Sequence, residues 1–216
     1  MGRLEAILPW LPVLLALSAN SPYVAGAETG LASTRAELLA LLPRSGAPPA
    51  FADYEAWARF AEALVRLGLA DDLMRLWWDA RPHPRLGTLE VRVPDQPTRL
   101  TDTAAFAALA QSLVAAADSD GPTADRGRYA QNRWAAARFG ATAGLIHPEA
   151  DRLSTPKELL VELLERVEPT ARRLGCADLL SGLERLDQSG AQLEIGRREG
   201  LRSLCETLVT LTYDGL

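Results

Sequence analysis

The chain has 216 residues, 48% of them apolar and 24% charged, and a formal net charge of −5. This describes an ordinary globular protein of one or two domains, long enough to bury a sizeable core. The acidic balance and the lack of any lysine or arginine run argue against a general nucleic-acid binder, and two cysteines cannot make a disulfide framework or a cysteine-built zinc site.

Leu4–Leu17 reads as a buried helix kinked at Pro9 or Pro12. With Met1-Gly2-Arg3 ahead of it, the run also resembles a secretory leader, a reading that Glu5, Pro9 and Pro12 weaken. It is too short and too proline-marked for a comfortable membrane span. Ser18-Ala19-Asn20-Ser21-Pro22 breaks the helix. Two readings fit this stretch: a plain helix terminator, or a polar loop offering hydroxyl, amide and backbone donors to a small ligand. Gly26 and Gly30 continue the loop. Ser33 or Thr34 caps a short helix ending near Leu42. Arg35, just inside its start, gains nothing from the helix dipole; it is either a surface residue or a hand for an anion. Pro43–Phe51 is a loop. Asp53 caps Tyr54–Leu67, with Trp57, Ala61 and Leu64 on one face and Gly68 as the stop.

Leu76–Asp95 is the strongest β signal. Leu89, Val91 and Val93 alternate with Thr88, Glu90 and Arg92; before them Leu76, Trp78 and Ala80 alternate with Trp77, Asp79 and Arg81. Pro82-His83-Pro84-Arg85 between them predicts the turn. Such a hairpin gathers Asp79, Arg81, Glu90 and Arg92 on one polar face. Like charges directly opposite are destabilising, so the arginines or a bound cation must neutralise the carboxylates. A solvated arginine–carboxylate ladder and a functional site both remain open. Two strands seldom stand alone, so the hairpin needs further strands or strong helix cover.

Thr101 or Asp102 caps a helix to Ala117. Arg128–Phe139 forms another, stopped by Gly140 in a left-handed cap. On it Gln131, Trp134 and Arg138 share a face, with Trp134 read as core and Asn132 off that stripe. Arg138 is suited to a carboxylate or phosphate partner. Thr155-Pro156-Lys157-Glu158 is a capping box with proline at the first helical position; Pro169 is expected to interrupt the helix. Helices over Ala177–Gln188 and Arg197–Leu211 complete an α+β, predominantly helical architecture. Cys176 and Cys205 fall in apolar helical patterns and read as buried thiols. His83 and His147 each adjoin a proline and read as surface turn residues. No phosphate-binding glycine loop, dinucleotide fingerprint or serine nucleophile elbow is present.

Three blocks carry a resemblance. LLALSANSPYVAGAETGLASTR, WWDARPHPRLGTLEVRVPD and QNRWAAARFG stand in the order and spacing of the bacterial carboxylate-amine ligases of glutamate–cysteine ligase family type 2. The matching region runs from about Leu11 to Gly140, with looser similarity through the helical tail. The resemblance implies a glutamine-synthetase-like fold whose antiparallel sheet includes the hairpin. It also implies an ATP- and Mg²⁺-dependent ligase: the γ-carboxylate of glutamate is phosphorylated to an acyl phosphate, which the amine of cysteine attacks, as in glutathione-type biosynthesis. On this reading Glu90 is a catalytic magnesium ligand and Arg92 binds phosphate or substrate carboxylate. Asn20, Ser21, Arg35 and Arg81 would bind substrate, and Asn132 and Arg138 would support the site.

The departures matter. The family begins with a further long region, including a glutamate-bearing strand that supplies metal ligands. The cysteine common in the hairpin's last turn is Pro94 here, and Ser189–Arg198 matches only loosely. The expectation is therefore a cytoplasmic single domain over 1–216 (a loop and hairpin region at 11–98, a helical region at 99–216). It corresponds to the C-terminal portion of a ligase, lacks N-terminal sheet strands and is inactive alone. Its partners would be amino-acid substrates and a complementing N-terminal half or a second copy, with neither nucleic acid nor membrane. The competing readings are a non-enzymatic helical interaction module, a degenerate remnant, or a secreted helical protein that begins near Asn20.

Overall fold

The computed structural model describes residues 1–181, 183 and 187–214. The N-terminal run forms α1 (Gly2–Ile7) and α2 (Leu11–Ser18), joined by a 3₁₀ turn at Leu8–Trp10. Both prolines sit at the starts of turns, where the missing N–H costs little, so the axis bends without breaking. Every residue of α2 is buried. It is apolar all round because α6 (Arg126–Phe139) and α7 (Pro156–Leu174) pack against it, and α5 (Leu100–Ala116) packs on α1 and α7. Leu4, Leu11, Leu14, Leu109, Leu145, Leu160 and Leu163 are fully enclosed in that core, each worth about 1.5–3 kcal/mol of burial.

Capping chemistry sets most helix starts. Ser33 accepts from Ala36 N–H to open α3 (Thr34–Ala40), and Asp53 accepts from Ala56 N–H to open α4 (Tyr54–Arg66). Thr155 and Glu158 close the expected capping box on α7. α6 starts two residues before the expected Arg128, because Asp125 accepts from the N–H groups of Gly127 and Arg128. α5 starts at Leu100 with no side-chain cap, rather than behind Thr101 or Asp102. Pro169 does not interrupt α7. Pro169 and Glu165, whose carbonyl loses its donor, both face solvent, while Val167, Thr170 and Ala171 anchor the turns around them. Gly140 does stop α6 at positive φ, but at φ 55° and ψ −134° it lies outside the left-handed helical well. A Cβ there would come within 2.9 Å of Ala32 Cβ, so the position is closed to other residues.

The expected helix over Ala177–Gln188 is a 3₁₀ turn at Ala177–Leu180; residues 182 and 184–186 of that span lie outside the described residues. α8 (Gln188–Glu199) follows, opened by Asp187, where the expected helices left a gap between Gln188 and Arg197. Gly200, at φ 87° and ψ 165°, separates it from α9 (Leu201–Tyr213), where Arg197–Leu211 was expected as one helix. Cys176 is buried as expected, whereas Cys205 is exposed on α9, since the apolar stripe there buries only Leu204.

The described strands form three separate two-stranded antiparallel ladders: β1 (Tyr23–Val24) with β2 (Ala27–Glu28), β3 (Ala80–His83) with β4 (Thr88–Val91), and β5 (Leu145–Ile146) with β6 (Leu153–Ser154). Among the described residues no third strand joins the hairpin. Helix cover supports it instead, with Leu89 and Val91 packed on the main core. No described helix is long and apolar enough to cross a membrane.

Candidate active site

In the hairpin Arg81 stands opposite Glu90, and Arg92 N–H donates to Asp79 O at 2.7 Å. Asp79, Arg81 and His83 therefore occupy hydrogen-bonded positions, and Pro82 lies at a non-bonded one with its nitrogen facing out of the ladder. That is why Pro82 and His83 belong to the strand and the turn is Pro84–Gly87, two residues later than expected, with Gly87 at φ 63°.

The polar face is not a solvated ladder. Arg81 is 2% exposed. It donates to Glu90 Oε2 at 2.9 Å through Nε, and through Nη1 to the carbonyls of Met74 and Leu76 at 2.8 and 2.6 Å. Arg92 touches Glu90 at 3.5 Å. Its pKa is lowered, first by burial and then by the positive charges of Arg81 and Arg35. Asp79 turns away from this group. Its carboxylate accepts from Tyr129 Oη at 2.8 Å and Arg133 Nε at 2.7 Å, both on α6. Burial opposes the charge on Arg133, but Asp79 outweighs it and the pKa is raised. The Tyr129 hydroxyl is pushed well up by burial and by the Asp79 charge. Each carboxylate of the hairpin thus has its own arginine.

The Asn20–Ser21 loop is organised by a residue the motif reading passed over. Asp95 is buried and accepts from Asn20 N–H at 2.9 Å, Ser21 Oγ at 2.8 Å and Ser33 Oγ at 2.9 Å, with Arg35 Nη1 at 3.4 Å. Its own N–H donates to Ser18 Oγ. The signal was present: Leu89, Val91 and Val93 point inward, and period two carries Asp95 to that side, where an unpaired carboxylate would be costly. Asn20 Nδ2 donates to Gln96 O and Thr98 Oγ1. Ser21 Oγ also accepts from Arg35 N–H. The polar atoms expected to greet a ligand are therefore already bonded within the chain. Arg35 is no free surface arginine: it donates to Arg92 O at 3.0 Å and Val93 O at 3.3 Å, tying the loop to the hairpin.

Arg35, Arg81, Glu90 and Arg92 are thus brought together, with Asn20 and Ser21 one layer behind. Asn132 and Arg138 are not part of that cluster. Asn132 is buried and clamps Ile146, donating to its carbonyl at 2.6 Å and accepting from its N–H at 2.7 Å. Arg138 lies over the Phe139 ring at 5.4 Å, beside Gly30, and makes no ion pair among the described residues. Trp134 is 48% exposed, contrary to its reading as core. α6 buries Tyr129, Asn132, Arg133 and Ala136 because Asp79 and Ile146 offer them partners, which turns the Gln131–Trp134–Arg138 face outward. His147 is also buried rather than a surface turn residue, its Nε2 bonded to Glu162 at 2.7 Å and its Nδ1 accepting from Glu149 N–H. His83 is half-buried in β3.

The donor set can be tested against a metal. Among the described residues no three His, Cys, Asp or Glu side chains converge; Glu90 is the carboxylate that pairs with Arg81 and Arg92, and Asp95, 3.4 Å from Arg35, is already filled by donors of the loop. By themselves these residues make no magnesium cage. Magnesium is commonly held by one or two carboxylates together with phosphate oxygens and water, so a single contribution from Glu90 is what they could offer. The under-bonded guanidinium of Arg92 fits an anion.

Comparison with known proteins agrees with the motifs. The model of glutamate-cysteine ligase family 2 matches residues 1–204. "Putative glutamate--cysteine ligase 2-3" of Rubrobacter xylanophilus is 42% identical over 213 residues, covering 96% of this chain and 58% of that protein. "Glutamate--cysteine ligase" of Haloferax volcanii is 39% identical over 205 residues, covering 92% and 55%. The chain spans somewhat more than half the length of the curated relatives it matches.

Proposed function

The chain belongs to glutamate-cysteine ligase family 2, and from that premise we propose that it forms the C-terminal portion of a cytoplasmic ATP-dependent carboxylate-amine ligase. The reaction would join L-glutamate to L-cysteine through a γ-glutamyl phosphate. Arg92 is the observation that carries this reading. It is a half-buried guanidinium with one carboxylate contact at 3.5 Å and two further arginines close enough to depress its pKa. Such a group is short of negative charge, and a triphosphate or substrate carboxylate supplies it. Arg81 holds Glu90 in place, and Glu90 would lend one carboxylate to magnesium. Mg²⁺-ATP, when bound, supplies the phosphoryl group and neutralises its developing charge.

Calorimetric titration of Mg²⁺-ATP into the chain tests the assignment. Arg92→Ala should weaken binding roughly tenfold or more, the loss expected for a charge-assisted contact. Equal binding by both proteins removes Arg92 from the site. Glu90→Gln should depress magnesium-dependent phosphate release when the chain is co-expressed with the complementary part of a family ligase; unchanged turnover removes Glu90 as a ligand.

A second reading is favoured by the hairpin edge. In its register Leu89 and Val91 direct their N–H and C=O groups away from β3. A groove of about 1050 Å³ lies beside them, lined by Leu89, Val91, Pro82, Val114 and the first four residues. An open edge beside an apolar groove suits strand addition. The occupant would be the complementing half or, for an interaction module, a second copy. A concentration-dependent dimer on size exclusion, without ATP binding, would favour the module.

A further inference from the structure

α8 and α9 supply no side chain to either apolar cluster of the protein. Leu204 is buried and Leu201 lies by Gly26, but the bonds that tie the two helices to the Asn20–Glu28 loop and to Thr98 are polar. Gln192 Nε2 donates to Asn20 O at 3.2 Å and to Asn20 Oδ1. Arg197 grips Glu28 with both Nε and Nη2, at 2.8 and 2.7 Å. Gln188 Oε1 accepts from Thr98 N–H, and Thr212 of α9 donates to Thr98 O.

This seam is imperfectly satisfied. Gln188 Nε2 in this seam is a buried side-chain polar atom with no partner among the described residues, and Tyr23 Oη lies against the Glu28 carboxylate. Tyr23 Oη is pressed so close to Gly196 that a Cβ there would collide with it. An unmet buried donor costs about 1–3 kcal/mol, and water can replace each polar bond of the seam once it opens. Elements with few apolar contacts and exposed polar links open first, well below the cost of global unfolding.

The geometry beneath the seam is directed. Asn20 Nδ2 is fixed by Gln96 O and Thr98 Oγ1, which leaves Oδ1 facing α8. Asn20 O faces the same way and meets the same glutamine. Two adjacent acceptors capped by one amide N–H₂ form a site for a multi-proton donor.

We propose that the α8–α9 hairpin is a lid over the Asn20–Glu28 loop, latched by Gln192 and Arg197, and that its opening frees Asn20 O and Oδ1 to accept the ammonium group of an amino-acid ligand. The ligand class rests on the ligase reading above; the lid does not. Opening exchanges Gln192 N–H donors for ammonium donors at the same two oxygens, so ligand and latch compete.

Hydrogen exchange read by mass spectrometry on the full chain tests this. Amides of 188–213 should exchange faster than those of α2, α6 and α7. The double variant Gln192→Ala/Arg197→Ala should speed exchange across 188–213 and 20–30 by tenfold or more while leaving α2, α6 and α7 unchanged. Glu28→Gln, which loosens the ion pair from the other side, should act in the same direction. Exchange of 188–213 in step with the core, or variants that shift all regions alike, would overturn the lid. L-Glutamate, used as the probe, should raise exchange in 188–213; unchanged or slower exchange overturns the acceptor role of Asn20. Faster exchange in the variants together with no ATP binding by the chain would sink the ligase reading and leave the lid standing.

Discussion

Two charged clusters sit side by side in this protein and are built on opposite terms. Around Asp95 three donors at 2.8–2.9 Å and one at 3.4 Å meet a buried carboxylate, and the loop atoms of Asn20 and Ser21 are bonded within the chain. Around Arg92 a guanidinium has one acceptor at 3.5 Å and two arginines for neighbours. The first cluster is architecture: a satisfied buried network specifies one loop conformation. The second is left short of partners, the usual condition of a group that waits for a ligand. Motif membership alone treats Ser21 and Arg92 as equals; bond geometry separates them.

Removing Asp95 should break the contrast most severely. Asp95→Ala leaves Asn20 N–H and two serine hydroxyls without their acceptor and takes one of three from Arg35, and should cost about 3–5 kcal/mol in urea unfolding. A loss under about 1 kcal/mol would mean that the loop does not depend on the carboxylate. Asp79→Asn tests the other satisfied carboxylate. It keeps the shape but removes the charge facing Arg133, and should lower stability by about 2–4 kcal/mol.

Glu5 gives a pH readout of a satisfied pair. Burial pushes its pKa up, but the hydrogen bonds from Arg126 and Ala124 N–H outweigh that and hold it below the ordinary glutamate value. A depressed folded pKa stabilises the fold above the unfolded value, and that stability is lost as pH falls through the folded one. Glu5→Gln should therefore cost about 1–2 kcal/mol at neutral pH. The difference from wild type should shrink as pH drops below the ordinary carboxylate range; a pH-independent difference would discount the ion pair. The smallest effect on stability belongs to Arg92→Ala, under about 0.5 kcal/mol, because it removes one long contact and relieves like-charge repulsion. A large loss there would place Arg92 among the structural arginines and erase the comparison.

The alternation of Leu89, Val91 and Val93 foretold the hairpin, and Ser33, Asp53 and Thr155 foretold their helices, because period and capping are local. What escaped notice was decided at long range. Arg133 and Tyr129 look like surface residues of a polar helix until Asp79, some fifty residues earlier, gives them a buried partner. Trp134 lies outside because that polar demand rotates α6. Asp95 closes the hairpin motif, and its parity with Leu89, Val91 and Val93 marks it as buried. α8 starts where a helix was expected to end, because Asp187 accepts from Gly190 N–H and opens it.

The all-apolar α2 has a further consequence, for the order in which the protein becomes folded. Its burying surfaces on α6 and α7 begin at Arg126 and Pro156. At about 5–20 residues per second, a ribosome needs roughly 5–30 seconds to deliver them. For that interval the nascent chain carries a greasy segment without its α6 and α7 partners. The same leucines that later centre the core are then a target for chaperones and for the export machinery, so slowing translation between α2 and α6 should lower the yield of soluble protein more than slowing it after α7.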